Sequence, residues 1–185
     1  MFMGTREDLF KSFYSYKVSL IGIPINNNFE KTKEIINICD GIILSGGDKF
    51  LTQDFLLIDY LYKNNIPTLG ICLGMQLMTR YLTNKDEINI ENHLSNNDYV
   101  HNVNINKNSL LYKIIGNEQI LVNSRHKSGF MIDNYYVSAR SEDGVVEAIE
   151  DETKKFFVGI EWHPESVGDK NSKNLFDYFV RVAIN

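Results

Sequence analysis

Cysteine is scarce in this chain, with two in 185 residues, Cys39 and Cys72. Two thiols cannot build a disulfide framework, and their spacing is not that of a metal site. A basic excess is also missing. Nineteen lysines and arginines face 24 acidic residues, a net charge of -5, so the footprint of a non-specific nucleic-acid binder is absent. No apolar run nears the roughly 20 residues of a membrane span. The first residues turn acidic at Glu7-Asp8, which argues against a secretory leader. Long low-complexity tracts, internal repeats and an interdomain linker are lacking too. The expectation is one domain over residues 1–185, cytoplasmic, with no nucleic-acid or membrane partner.

What is present is ordinary globular composition, 43% apolar and 23% charged. Short apolar runs alternate with helical periodicity, the pattern of an α/β fold. Strands are expected at Val18–Ile23 (closed by Pro24), 41–44, 67–73, 88–91, 99–105, 118–122, 135–140, 145–150 and 156–160. Helices are expected at 30–38, 52–63, 74–82, 109–115 and 174–183. The first half thus reads as a mostly parallel, doubly wound sheet of flavodoxin-like type. The second half reads as an added antiparallel hairpin region.

Chemistry concentrates at three places. Gly70-Ile71-Cys72-Leu73-Gly74 sits where a strand meets a helix, the cysteine form of a nucleophile elbow. A sharp turn crowds the residues two before and two after the nucleophile, and both are glycine. The helix N-terminus should favour the thiolate, so iodoacetamide should reach Cys72 first, and the Leu73 N–H could bind an oxyanion. Cys39 ends an apolar helix face and reads as core. His163-Pro164-Glu165 follows a strand, and proline lets His163 and Glu165 project together as base and orienter. Ser45-Gly46-Gly47 follows another buried strand and could offer backbone N–H donors. His93 reads as an ordinary surface or core histidine. The four histidines lie scattered without paired helical spacing, so no metal is expected.

Together, Gly46-Gly47, then Gly70-x-Cys72-x-Gly74-x-Gln76, then His163-Pro164-Glu165 resemble the class I glutamine amidotransferase superfamily. The resemblance implies that Cys72 is the nucleophile, His163 the general base and acid, and Glu165 its orienter. It implies an oxyanion hole from the backbone of Gly47 and Leu73, with Gly46 and Gln76 beside a γ-glutamyl group. No cofactor is implied. His101-x-Val103-x-Ile105, Val122-Asn123-Ser124-x-His126, the run from Ala139 to Ala148, and Trp162 are similar to the γ-glutamyl-γ-aminobutyrate hydrolase branch, peptidase C26. Leu73 in place of that branch's usual arginine, and a short stretch after Gly47, are more like glutaminase subunits.

The leading expectation is a hydrolase cleaving a γ-glutamyl amide of a small molecule through a γ-glutamyl thioester. The alternatives are a glutaminase component serving a separate synthase, and a silent binding module, against which the intact Cys, His and Glu set argues. Ser124, Arg125, His126 and Lys127, in a donor-rich loop, are candidate substrate contacts. Arg125 and Lys127 could meet an anionic group. The short stretch after Gly47 should leave a wide cleft.

Overall fold

A computed structural model describes residues 5–23 and 28–185. Helices α1 (Thr5–Ser12) and α2 (Phe29–Ile36) precede the first strand, β1 (Ile42–Leu44). Then follow α3 (Thr52–Lys63), β2 (Thr68–Ile71), α4 (Leu73–Thr83), β3 (Ile88–Asn89) and β4 (His101–Ile105). The chain continues through α5 (Leu110–Ile115), β5 (Gln119–Val122), β6 (Ser128–Gly129), β7 (Val137–Ser141) and β8 (Val146–Glu150). It ends with β9 (Phe157–Ile160), α6 (Pro164–Val167) and α7 (Lys170–Ile184).

Helix boundaries follow from local hydrogen bonding. The Leu51 N–H donates to Asp54 Oδ2 at 2.6 Å, which starts α3. Ser109 and Asp169 accept from the backbone three residues on and start α5 and α7. Gly116 ends α5 in the left-handed region, at φ 80°. Glu150 adds a second anchor to α5, its carboxylate accepting from the Leu110 and Leu111 N–H groups at 2.6 and 3.0 Å.

The seven-stranded sheet runs β1-β2-β9-β8-β7-β4-β5. β1, β2 and β9 are mutually parallel, and the ladders from β9 through β8, β7 and β4 to β5 are antiparallel. The α/β class and its two parts are as expected. Antiparallel pairing takes the larger share of the described ladders. A small antiparallel pair, β3 with β6, stands apart.

Both faces are covered because the buried strands alternate between two apolar clusters. Leu69, Ile71, Val158 and Ile160 face Leu111 of α5 and Leu175, Phe176 and Phe179 of α7. Ile42, Leu44 and Phe157 face Ile36 of α2, Ile58 and Leu61 of α3, and Met75 and Met78 of α4. α1 was not foreseen. It delivers Phe13 onto Phe176, ring centroids 5.0 Å apart.

Val18–Ile23 forms no strand among the described residues. Its alternation is real, since Val18 and Leu20 pack on the core while Ser19 and Ile21 are exposed. Alternation reports a one-sided environment, not a ladder partner. Pro24 lies outside the described residues.

Candidate functional site

Parallel strands bring their C-terminal ends to one edge, where ligands of open α/β sheets bind. Here β1 leads to Gly46, β2 to Cys72, and β9 through Glu161-Trp162 to His163.

Cys72 caps α4 at φ 53° and ψ -110°, a conformation worth about 1–3 kcal/mol of strain for a residue with a side chain. The surroundings enforce it. The Cys72 N–H donates to Ile160 O at 2.8 Å, extending the β2–β9 ladder, while Cys72 O accepts from Gln76 N at 2.9 Å, opening the helix. The flanking glycines are required by contact. A Cβ on Gly70 would press into Met78 Sδ and stand 2.8 Å from the Gly74 carbonyl carbon. A Cβ on Gly74 would overlap the Leu44 carbonyl. The strand-to-helix turn is therefore an elbow in fact as well as in spacing.

His163 sits at the N-cap of α6, an element not foreseen, with Pro164 at the first helical position and Gly168 ending it at φ 63°. His163 Nδ1 meets Glu165 Oε1 at 2.7 Å. That bond occupies Nδ1 and leaves Nε2 as the free ring nitrogen. A Cβ on Gly46 would lie 3.0 Å from His163 Cε1 and 3.6 Å from Cys72 Cβ. A side chain at Gly46 would therefore press on the histidine ring and meet the cysteine, and glycine leaves that space open. Gly47 lies against Leu73, whose Cδ2 would stand 2.9 Å from a Cβ there. The Leu73 N–H hydrogen-bonds toward the Cys72 sulfur.

Asn123 holds the histidine in place. Its Nδ2 donates to His163 O at 2.7 Å, and its Oδ1 accepts from the His163 N–H at 2.8 Å. In sequence, Asn123 is only one position of the Val122-Asn123-Ser124-x-His126 motif. A two-point clamp between residues 40 apart in sequence leaves no local signature.

The other expected site residues divide. Gln76 is 2% exposed, and its Nε2 donates to Glu161 Oε1 at 2.5 Å and Ser128 O at 2.9 Å. Its amide therefore ties α4 to the residues after β9 and to β6 and does not open toward a γ-glutamyl group. Ser124 is fully buried, its hydroxyl donating to His93 O at 2.7 Å. His126 is buried among His93, Glu147 and Glu161. Both face inward where the loop pairs with residues 93–95, so neither is a surface contact. Arg125 donates to Ser166 Oγ at 2.7 Å, just past Glu165, and lies 3.6 Å from Asp98. Lys127 is exposed. Cys72 and His163 are both buried, 7% and 3% exposed.

Electrostatics also departs from expectation. Burial pushes the Cys72 thiol well above its usual value. The carboxylate of Glu161 pushes it further, against a smaller opposing pull from the Leu73 N–H. Burial and the nearby carboxylates thus disfavour the thiolate more than the Leu73 N–H favours it. Glu161 itself is raised by complete burial and by neighbouring Glu147. The histidines, moreover, are not scattered in space. His93, His101 and His126 surround Glu147. Burial alone would raise that carboxyl, yet the three imidazoles hold it well below the usual range.

Comparison with known proteins agrees with this geometry. The peptidase C26 family model matches residues 52–165, which include the elbow and the His163–Glu165 pair. The chain belongs to the peptidase C26 family. It lies within the class I glutamine amidotransferase superfamily, and its enzyme type is a hydrolase of that kind. A glutamine amidotransferase-like protein of Rickettsia prowazekii is 28% identical over 88% of this chain and 84% of its own length. GMP synthase of Dictyostelium discoideum is 32% identical over 76% of this chain, which spans only 20% of that enzyme. The glutaminase domain of Trypanosoma brucei CTPS, solved with bound acivicin, shares the fold with a TM-score of 0.72. That match covers 97% of this chain and 88% of the solved one at 19% identity. Among the described residues of this peptidase C26 member, no helix is long and apolar enough to cross a membrane.

Proposed function

We propose that this chain is a single-domain cysteine hydrolase that cleaves the γ-glutamyl amide bond of a small molecule. The observation that carries the proposal is Cys72 held at φ 53° at the start of α4, with the paired His163 and Glu165 across Gly46. Cys72 Sγ attacks the amide carbon while His163 Nε2 takes the thiol proton. The Leu73 and Gly47 N–H groups receive the oxyanion. His163 returns the proton to the leaving amine, and the C–N bond breaks to leave a γ-glutamyl thioester. Water, deprotonated by His163, then releases glutamate and restores the thiol. Glu165 fixes the ring and stabilises the imidazolium. Arg125, beside Ser166, is placed to meet an anionic group at the rim. Two free thiols suit a cytoplasmic setting.

A second reading is a glutaminase that supplies ammonia to a separate synthase. It is favoured by the match to GMP synthase, of which this chain spans only a part.

The test is turnover of glutamine and of a γ-glutamyl anilide by the isolated chain, with hydroxylamine added to trap the thioester. Hydroxamate formation and a glutamyl adduct on the Cys72 peptide are expected. No release and no adduct on either substrate would overturn the hydrolase assignment for the free chain. Co-purification with a synthase that restores glutaminase activity would favour the second reading.

A further inference from the structure

Glu147 is fully buried on β8, yet neither carboxylate oxygen has an aligned hydrogen-bond partner. Burying a carboxylate without compensation is costly. The groups closest to it are ring nitrogens. His101 Nε2 lies 3.1 Å from Glu147 Oε1, His93 Nδ1 3.3 Å and His126 Nε2 3.7 Å. His93 Nδ1 and His126 Nε2 are themselves 3.1 Å apart. His101 Nε2 is buried and also lacks an aligned partner.

The outer nitrogens decide what these inner atoms can offer. His93 Nε2 meets Asp143 Oδ2 at 3.0 Å, and His126 Nδ1 meets Ser128 O at 2.9 Å. Both outer partners are acceptors, so each outer nitrogen carries a proton. In the neutral rings the inner nitrogens then present lone pairs to one another and to the carboxylate. Lone pairs that converge at these distances repel unless a cation, a proton or a metal ion, lies among them, and either one would keep Glu147 ionised. Imidazoles whose outer N–H donates to a carboxylate or backbone carbonyl are the usual second layer of a metal site.

The spacing points to a specific ion. Zinc bonds to imidazole nitrogen and carboxylate oxygen of about 2.0–2.1 Å imply tetrahedral donor–donor separations near 3.3 Å. The measured separations bracket that value. One ligand atom each from His93, His101 and Glu147 lies within 4.8 Å of the others, and His126 borders the group on its His93 and Glu147 side. A hard cation such as magnesium or calcium would call for oxygen donors, whereas this set is mostly imidazole.

We propose that His93, His101 and Glu147, with His126 alongside, form a zinc(II) site that stiffens the fold. It would join β8 and β4 to the segment ahead of β4 and to the loop of residues 123–128. That loop also carries Asn123, which clamps His163. Ser124 Oγ and the His126 N–H both donate to His93 O, so a metal on His93 would stiffen the same loop.

The test uses the full chain carrying Cys72→Ala, so that the elbow thiol cannot take the metal. After chelation and dialysis, zinc is titrated and bound metal is counted by mass spectrometry of the elements. About one zinc per chain and a raised Tm are expected. Cobalt(II) in its place should give the visible bands of a tetrahedral site without a thiolate charge-transfer band. His101→Gln and Glu147→Gln should each weaken zinc binding at least about 100-fold, since loss of an outer partner alone costs 10–100-fold. No stoichiometric zinc on the unmutated cluster would overturn the proposal and leave a buried cage that holds only a proton. Equal zinc binding by both variants would overturn it too. The cobalt spectrum needs no cluster variant to fold, so the proposal stays exposed to failure either way.

Discussion

The two ends of the sheet solve the same problem, a buried reactive group, in opposite ways. At the parallel end, β1, β2 and β9 present Gly46, Cys72 and His163 at their C-terminal edge, and each stands in a short motif whose spacing is itself the geometry. At the antiparallel end, His93, His101, His126 and Glu147 meet from four separate stretches around a fully buried carboxylate. One region is organised by local turns and the other by strand register. The difference teaches why motifs announce elbows and rarely announce cages.

The sharpest break between the regions is chemical. Cys72→Ala should lower γ-glutamyl amide hydrolysis by about 10⁴-fold or more, because a nucleophile removed from a catalytic unit takes most of the unit's effect with it. Cys39→Ser should leave the rate within about twofold, its thiol being a half-buried partner of Ile35 O. Steady-state kinetics on both variants checks this, and comparable losses would move the chemistry away from the elbow.

The antiparallel end should show its effect in stability. Glu147→Ala removes the one carboxylate that three imidazoles share, two of them buried and His101 half-buried, and breaking such a cluster typically costs about 3–5 kcal/mol. Urea unfolding measures it. A loss under about 1 kcal/mol would mean that the histidines re-pair or hydrate easily.

A smaller effect returns to the elbow. Gly46→Ala places a methyl group 3.0 Å from His163 Cε1 and 3.6 Å from Cys72 Cβ, so the ring must shift by a few tenths of an ångström. Misplacement on this scale should cost about 10–100-fold in kcat with the Tm held, since small displacements of reacting groups are expensive. An unchanged kcat would show that His163 has slack.

The smallest expected effect concerns thiol reactivity. The Cys72 pKa is raised by burial and by Glu161, so its thiolate fraction is low at neutral pH and grows as pH rises. Cys39 is raised as well, by burial and Asp40, but is more exposed. Iodoacetamide should therefore label Cys39 first in the free chain. Cys72 labelling should still climb above the ordinary cysteine value of about 8.5. Peptide mass spectrometry across pH decides it. Early labelling of Cys72 at neutral pH would restore the view that the helix N-terminus dominates.

Much of this was legible beforehand. The bounds of α3 matched the expected 52–63, and the helix and strand around Cys72 fell within a residue or two of expectation. These elements are set by nearby caps and periodic apolar residues. Val18–Ile23 misled because alternation was present without a ladder partner. α6 was missed because four residues are too few for periodicity to register, although Pro164 at its start and Gly168 at its end were both in view. For Gln76 the family resemblance, and for Ser124 and His126 the donor-rich loop, point to the substrate side. Their side chains turn inward to partners that sequence distance conceals.

The order of glycines, cysteine and the His-Pro-Glu run determined the elbow, the cysteine it carries and the His163–Glu165 pair, because each depends on contacts within a few residues. The tertiary structure alone decided that Asn123 clamps His163, that burial raises the Cys72 thiol, and that three histidines converge on Glu147. Those outcomes depend on which strand ends lie side by side and on how completely water is excluded between them. Both are properties of the packed sheet, not of any stretch of chain.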